Sequence, residues 1–257
     1  MGSYGPDDYL MPYEVIRMDS VDRVFTNEDP EVQTPSAYSQ INLMQKVRFK
    51  PNQNWDFTYA FHYSETSDYG RYDRHTRTRN GLPRYAEWKY GPQVWMMNNL
   101  TVVNSTENLF YDEMTIRLAQ QLFEESRIDR SLNSDTRSVR EEHVNAYSLN
   151  ADFLKKLGSK NKLFYGLEGV VNEVKSTGTD FNIVTNAGTA GPSRYPQSNW
   201  SSYAAYATLQ RKWNEHFTTQ IGTRYNQFML NAEFDTTFYP FPFTTANIND
   251  GALTGSF

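Results

Sequence analysis

Apolar and polar side chains alternate one by one along much of this chain. Between residues 56 and 66, Phe57, Tyr59, Phe61 and Tyr63 fall on one side, and Thr58, Ala60, His62 and Ser64 on the other. A helix would scatter these rings around its circumference, whereas a strand lines them up. The same period recurs. Ile41, Leu43, Val47 and Phe49 oppose Lys46 and Arg48; Ile116 and Leu118 oppose Arg117; Leu149 and Phe153 oppose Asn150 and Asp152. Leu163, Tyr165 and Leu167 oppose Glu168; Tyr203 and Leu209 oppose Gln210; Ile221 and Tyr225 oppose Arg224. The pattern predicts eight strands, near 38–50, 55–66, 93–104, 109–124, 142–155, 162–175, 200–212 and 216–231. The third is noisier, because Asn98 and Asn99 interrupt it.

The predicted connections alternate in length. Those at 51–54, 104–108, 156–161 and 212–215 are short and carry turn residues; those at 67–92, 125–141 and 176–199 are long. Tight turns on one side and extended loops on the other are the arrangement of outer-membrane barrels. Trp55, Trp95, Trp200 and Trp213 sit close to strand ends, where a ring prefers a membrane–water boundary. Phe57, Tyr59, Phe61 and Tyr63 are then expected to face lipid. Lys46, Arg48, His62, Arg117, Glu168 and Arg224 share the opposite parity and are expected to face an aqueous lumen. Unpaired in a dry core, each of those charges would cost several kcal/mol. So many long charged groups favour a barrel wider than eight strands, whose interior side chains already fill it.

Composition fits this picture. Hydrophobic residues are only 38%, yet 18 Tyr and 16 Phe bring aromatics to 15%. A net charge of −5 argues against a nucleic-acid partner. With no cysteine, thiol catalysis, disulfide scaffolds and zinc fingers are excluded. No run of about 18 apolar residues predicts a membrane helix, although barrel strands need only about 9–11 residues. Met1 to Leu10 lacks the basic and apolar regions of a signal peptide. Residues 1–35, rich in Asp, Glu and Pro, read as a loop entered midway. The segment from Tyr239 to Phe257 does not read as a finished strand, so the end at Phe257 reads as a cut.

Candidate chemistry is confined to a loop. Residues 68–92 hold Arg71, Arg74, His75, Arg77, Arg79, Arg84 and Lys89 against Asp68, Asp73 and Glu87. Clustered positive charge would raise the local concentration of an anionic ligand; contact with lipopolysaccharide phosphates, or a merely solvated loop, would account for it equally. His75, flanked by Tyr69, Tyr72 and Tyr85, is the one histidine well inside a long loop. It could ligate haem if exposed, and is otherwise a surface histidine. Glu124 and Glu125 are adjacent on a strand, face opposite ways and cannot flank one scissile bond. No catalytic, phosphate-binding or metal motif is present, so neither an enzyme nor a bound cofactor or metal is expected.

The segments YSQINLMQKVRFKP (38–51), TYAFHYSETSDYGRYDR (58–74), RYAEWKYGPQVW (84–95), FEESRIDR (123–130), YSLNADFLKKL (147–157), LFYGLEGVVNEVKS (163–176), SRYP (193–196) and GTRYNQF (222–228) carry a resemblance. In that order and spacing, across nearly the whole chain, they resemble the barrel of TonB-dependent receptors, Bacteroidetes-type receptors above all. The resemblance implies a 22-stranded antiparallel transmembrane barrel in the bacterial outer membrane, of which residues 1–257 form a partial barrel of about eight strands without an internal domain boundary. It also implies uptake of a scarce nutrient complex of the iron-siderophore, haem or cobalamin class, powered by the TonB complex acting through a plug domain of the parent protein. The sequence departs from the family in lacking a plug and a TonB box. Expected partners are therefore outer-membrane lipid, an anionic nutrient chelate and, through the parent's plug, TonB. Two other readings stay open: a self-contained small outer-membrane barrel or porin, and a secreted soluble β-sandwich binding module.

Overall fold

The computed structural model describes residues 10–257; the expectation for the first ten residues, Leu10 apart, lies outside that range. A hairpin of β1 (Tyr13–Met18) and β2 (Val21–Thr26) comes first. Then follow β3 (Gln40–Phe49) and β4 (Trp55–Thr66), and an excursion holding β5 (Tyr69–Gly70), the single turn α1 (Tyr72–His75), β6 (Thr78–Arg79), β7 (Leu82–Pro83) and β8 (Tyr85–Tyr90). The long strands β9 (Val94–Asn104), β10 (Glu113–Ser131), β11 (Thr136–Leu157) and β12 (Asn161–Asn182) come next. After the short β13 (Gly188–Ala190) the chain ends in β14 (Gln197–Lys212), β15 (Thr218–Glu233) and β16 (Thr245–Ser256).

One antiparallel sheet dominates, with its main strands ordered β16-β15-β14-β12-β11-β10-β9-β4-β3. Apart from the β5–β8 and β13 insertions, neighbours in sequence are neighbours in space, and β3 and β16 form its edges, each with one open side among the described residues. Strand β8 prolongs β9 along β10, which pairs with β9 up to Glu124 and with β8 from Arg127. At the joint, Gly91 (φ 99) brings its backbone against Ser67 and Asp68, where a Cβ would lie 2.9 Å from the Ser67 carbonyl oxygen. Only glycine fits both that conformation and that approach.

Several expectations need correction. Nine long strands pair where the alternation predicts eight. Residues 245–256 form β16 because β15 offers them a ladder from Glu233 to Gly222, and pairing wins over weak Asn- and Gly-rich alternation. Residues 125–141 are no loop: β10 and β11 continue in unbroken register to a tight turn at 132–135, where Asn133 has φ 58. Beyond the apolar segment the two strands carry charged residues on both faces, so hydrophobic periodicity vanishes while the hydrogen-bond ladder does not. Likewise β12 runs on to Asn182, and residues 13–26 form a hairpin within what reads as irregular chain. The connections after β3, β9, β11 and β14 lie at one end of the sheet; the excursions after β4, β12 and β15 lie at the other, together with the tight turn at 132–135.

The register sorts the side chains into two faces. Arg48 stands opposite Thr58, Thr58 opposite Thr101, Thr101 opposite Arg117, Arg117 opposite Asn150, and Asn150 opposite Glu168. Lys46, His62 and Arg224 share that face. Ion pairs tie it together: Arg48 with Asp56, Arg117 with Asp152 at 2.6 Å, and Arg224 with Glu168 at 3.1 Å. Phe57, Tyr59, Phe61 and Tyr63 occupy the other face with Val102, Leu100 and Met96. The expectation for the tryptophans holds by half. Trp55 and Trp213 have apolar-face parity at the tight-turn end, whereas Trp95 and Trp200 lie on the polar face, where Trp95 packs on His62 at 4.6 Å.

Exposure runs opposite to a water-soluble sheet. On the apolar face Leu167 is 58% and Tyr203 46% exposed, while on the polar face Asn172 and Ala204 are 7% and 6% exposed. Among the described residues no second layer covers the apolar face, which removes the β-sandwich alternative, since so broad an apolar face would aggregate in water.

Candidate ligand-binding surface at the loop end

On the apolar face, charge marks two levels. At the tight-turn end Lys155 pairs with Asp112 at 2.7 Å. Toward the loops, Glu124 meets His143 at 3.4 Å and Lys175 meets Glu173 at 3.0 Å. Between them the apolar-face positions of β10, β11 and β12 carry no charge over 114–122, 145–153 and 163–171. Eight residue steps span about 27 Å of strand, or roughly 21 Å of height at a tilt near 40°, close to a barrel's apolar band.

Above that band the polar face gathers a different chemistry. Tyr90, opposite Arg127, and Trp88, opposite Asp129, put their rings on this face. They meet edge to face at 5.1 Å, and Tyr69 joins Tyr90 to Tyr38. Arginines stack on this platform. Arg71 lies 5.2 Å from the Trp88 ring centre and 5.6 Å from that of Tyr90; Arg74 is 5.5 Å from Trp88 and Arg127 4.9 Å from Tyr90. Each contact is worth about 0.5–1 kcal/mol at such exposure. Stacking fixes the guanidinium planes and leaves N–H edges for an anion. Arg71 also bonds Asp73 and donates to the Tyr90 hydroxyl at 2.8 Å.

Beside the platform runs a lattice of carboxylates and arginines. Arg194, from the β13–β14 connection, lies 3.7 Å from Glu142 and 4.0 Å from Glu125, and Glu125 meets Arg127 at 3.4 Å. Arg140 bonds Asp180 at 2.8 Å. Burial pushes the carboxyls of Glu142 and Asp129 up, outweighing Arg194 at the first and Arg140 at the second.

A clamp on the opposite side holds this end in shape. Asp22 of the β1–β2 hairpin accepts two bonds from Arg130, at 2.7 and 3.0 Å, and one from the Asn133 amide at 2.6 Å. Glu87 accepts from Arg130 and Arg137, each at 2.8 Å. Burial alone would raise both carboxyls. The partners win: Arg130, the Asn133 amide and Arg17 hold Asp22 below the usual carboxylate range, and Arg137 with Arg130 does the same for Glu87.

The loop residues singled out from sequence divide. Arg71 and Arg74 join the platform, while Arg84 stacks on Tyr85 at 5.1 Å. Arg77 and Arg79 are exposed and form no ion pair among the described residues. His75 is no surface histidine: it is 6% exposed, Tyr13 donates to its carbonyl at 2.8 Å, and burial depresses its imidazole against a bond to the Trp88 backbone. So enclosed, it is not an open haem ligand. Trp88, Tyr90, Arg127, Glu142 and Arg194 join the site although no motif in the sequence marks them. The available signal was the alternation of Tyr85–Tyr90, which puts Trp88 and Tyr90 on one side.

No curated protein matches the chain. A family model described as "Outer membrane protein beta-barrel family" matches residues 98–248. The chain belongs to that family. Its site is the bacterial outer membrane, and its long strands are barrel strands, here an open sheet. Among solved structures, "Copper transporter OprC" matches with TM-score 0.64 and 14% identity, over 88% of this chain and 34% of that one. "Crystal structure of ferric citrate transporter FecA in the unliganded form" matches with TM-score 0.55 and 13% identity, over 86% and 33%. At such identities the likeness is one of fold, and it lies with transporters. This barrel-family chain spans about a third of the length of either structure.

Proposed function

We infer that the chain forms part of the barrel wall of a TonB-dependent uptake receptor, with its loop end facing outward and its polar face lining the lumen. Phe57, Tyr59, Phe61 and Tyr63 then meet lipid; Lys46, Arg48, His62, Arg117, Glu168 and Arg224 meet water or a plug domain. The receptor takes up an anionic nutrient complex of the iron-chelate, haem or cobalamin class. The TonB complex supplies energy through the plug of the intact receptor.

The observation that carries this reading is the stacked-arginine platform of Arg71, Arg74 and Arg127 on Trp88 and Tyr90, above the apolar band and on the polar face. Fixed guanidinium edges suit a multiply carboxylated or propionate-bearing ligand better than a passive pore rim would require. Exposed Arg77 and Arg79 add long-range attraction. The test is binding of ferric citrate, haemin and cyanocobalamin to the purified protein, read by tryptophan quenching. Replacing Arg74, Arg77 and Arg79 together by Gln should weaken the anionic probe that binds by about tenfold or more, with a reduced salt dependence. Unchanged affinity discards the arginine reading, and absence of binding by every probe favours a plain barrel or porin wall.

A further inference from the structure

The single turn α1 presents two of the stacked arginines, Arg71 at its start and Arg74 within it, yet no side chain caps it. A turn this short does not hold itself. Trp88 fixes it in place. The Trp88 carbonyl accepts the Arg71 amide at 3.0 Å and also a ring N–H of His75, so both ends of the turn hang from one oxygen. The indole of the same residue carries the Arg71 and Arg74 guanidiniums. The other ring nitrogen of His75, Nε2, is buried and has no partner among the described residues. The donor is therefore Nδ1, and Nε2 holds the bare lone pair of a neutral imidazole.

The surroundings offer a proton on Nε2 no acceptor. Gly70 and Pro35 close that side: a Cβ on Gly70 would lie 3.1 Å from Nε2 and 2.9 Å from Pro35 Cγ, and the Pro35 carbonyl already accepts from the Gly70 amide at 3.0 Å. A cavity of about 300 Å³ beside His75 is lined by Tyr13, Glu14, Thr34 and Tyr85 among others. Tyr13 is engaged with the His75 carbonyl, and Glu14 accepts from Thr34 at 2.8 Å. On α1 itself Asp73 is taken by Arg71 and Arg74, and Tyr72 donates to the Leu10 carbonyl. On β8, Glu87 is held by Arg130 and Arg137, and Lys89 by Asp68. An imidazolium here would be a buried charge with an unsatisfied N–H, and burial accordingly pushes this imidazole down. Moving the ring out to water relieves both costs.

We propose that His75 is a positioning residue and proton switch for the arginine platform: neutral, it pins α1 to β8 and keeps Arg71 and Arg74 over Trp88; protonated, it lets the turn go, and the platform loses its hold on an anion. This rests on the platform being an anion site, and the experiment separates the two. His75→Asn keeps an amide N–H near the Nδ1 position but does not titrate, while His75→Leu keeps bulk without the donor. Hydrogen exchange over residues 70–76, corrected for the intrinsic effect of pH, reads the pin without any ligand. From pH 7.5 to 5, protection should fall about tenfold in the wild type, stay level in His75→Asn and be low throughout in His75→Leu. Ferric citrate binding is then followed in the same three proteins, so that changes in the probe's own charge cancel between them. At pH 7.5 His75→Asn should bind within about threefold of the wild type, and His75→Leu more weakly. On going to pH 5, wild-type affinity relative to His75→Asn should drop at least about threefold. A fall in protection shared by His75→Asn, or none in the wild type, overturns the switch. A relative affinity that ignores pH overturns its link to the platform. Exchange that titrates as stated, with ferric citrate bound by none of the three, upholds the pin and overturns the anion-site reading instead.

Discussion

Leu167 offers the sharpest test of the two faces. It is the central residue of the uncharged span 163–171 on β12 and is 58% exposed. Four residues separate it from each end of that span, about 10 Å of height either way at the usual strand tilt. An arginine there would lie near the bilayer midplane, out of easy reach of either surface. The expected cost is roughly 2–4 kcal/mol, or about 30-fold to several-hundred-fold in the folding equilibrium. Leu163→Arg, at the edge of the span, should cost only about 0–1 kcal/mol, because its side chain can snorkel. Thr58→Lys, on the polar face beside Arg48, should be tolerated. The assay is reversible folding into lipid vesicles, followed by tryptophan fluorescence over a guanidinium titration. Equal costs at 163 and 167, or a Thr58→Lys as damaging as Leu167→Arg, would refute the assignment of hydrocarbon to the apolar face.

Three further outcomes follow from the loop end and the barrel wall. Arg130→Met leaves Asp22 and Glu87 buried without their shared partner and should cost about 3–5 kcal/mol of local stability, seen as fast hydrogen exchange over residues 13–26. Both carboxyls have lowered pKa values in the folded protein, so their contribution is present above the ordinary carboxylate value and lost as pH falls through the folded values; the hairpin should loosen only below about pH 4. His75 behaves differently: its pKa is lowered by burial, so protonation favours the open loop as pH falls below about 6.5, and exchange over residues 67–90 should rise between pH 7 and 5 while the hairpin stays protected. Gly166→Ala puts a Cβ 2.5 Å from the Ala151 carbonyl oxygen and 2.7 Å from the Tyr206 ring, which bonds Asp152 at 2.6 Å; denaturant unfolding should show a loss of about 1–3 kcal/mol, and wild-type stability would mean that both the ring and the β11 backbone yield without cost.

Period-two alternation was enough to define the strands from β3 to β15 wherever one side chain in two is apolar, because a strand's side chains alternate whatever it pairs with. Parity also separated Phe57, Tyr59, Phe61 and Tyr63 from Lys46, Arg48, His62, Arg117, Glu168 and Arg224, and the register keeps these two groups on opposite faces of the sheet. Alternation says nothing where both faces are charged. Continuation of β10 and β11 past Glu125, and the existence of β16, depend on a neighbour's unpaired N–H and C=O groups, which no local pattern records. The arginine platform was out of reach for the same reason. Arg71, Trp88 and Arg127 come from three separate segments, and only the return of β8 alongside β10 brings them together. His75 shows the limit most plainly: its place in a basic loop suggested exposure, and the packing of β1 and Pro35 around it decided burial. Sequence therefore determined which side chains share a face, a local property of the backbone, while the tertiary structure alone decided which distant charges and rings meet, because their proximity is set by ladder pairing between strands.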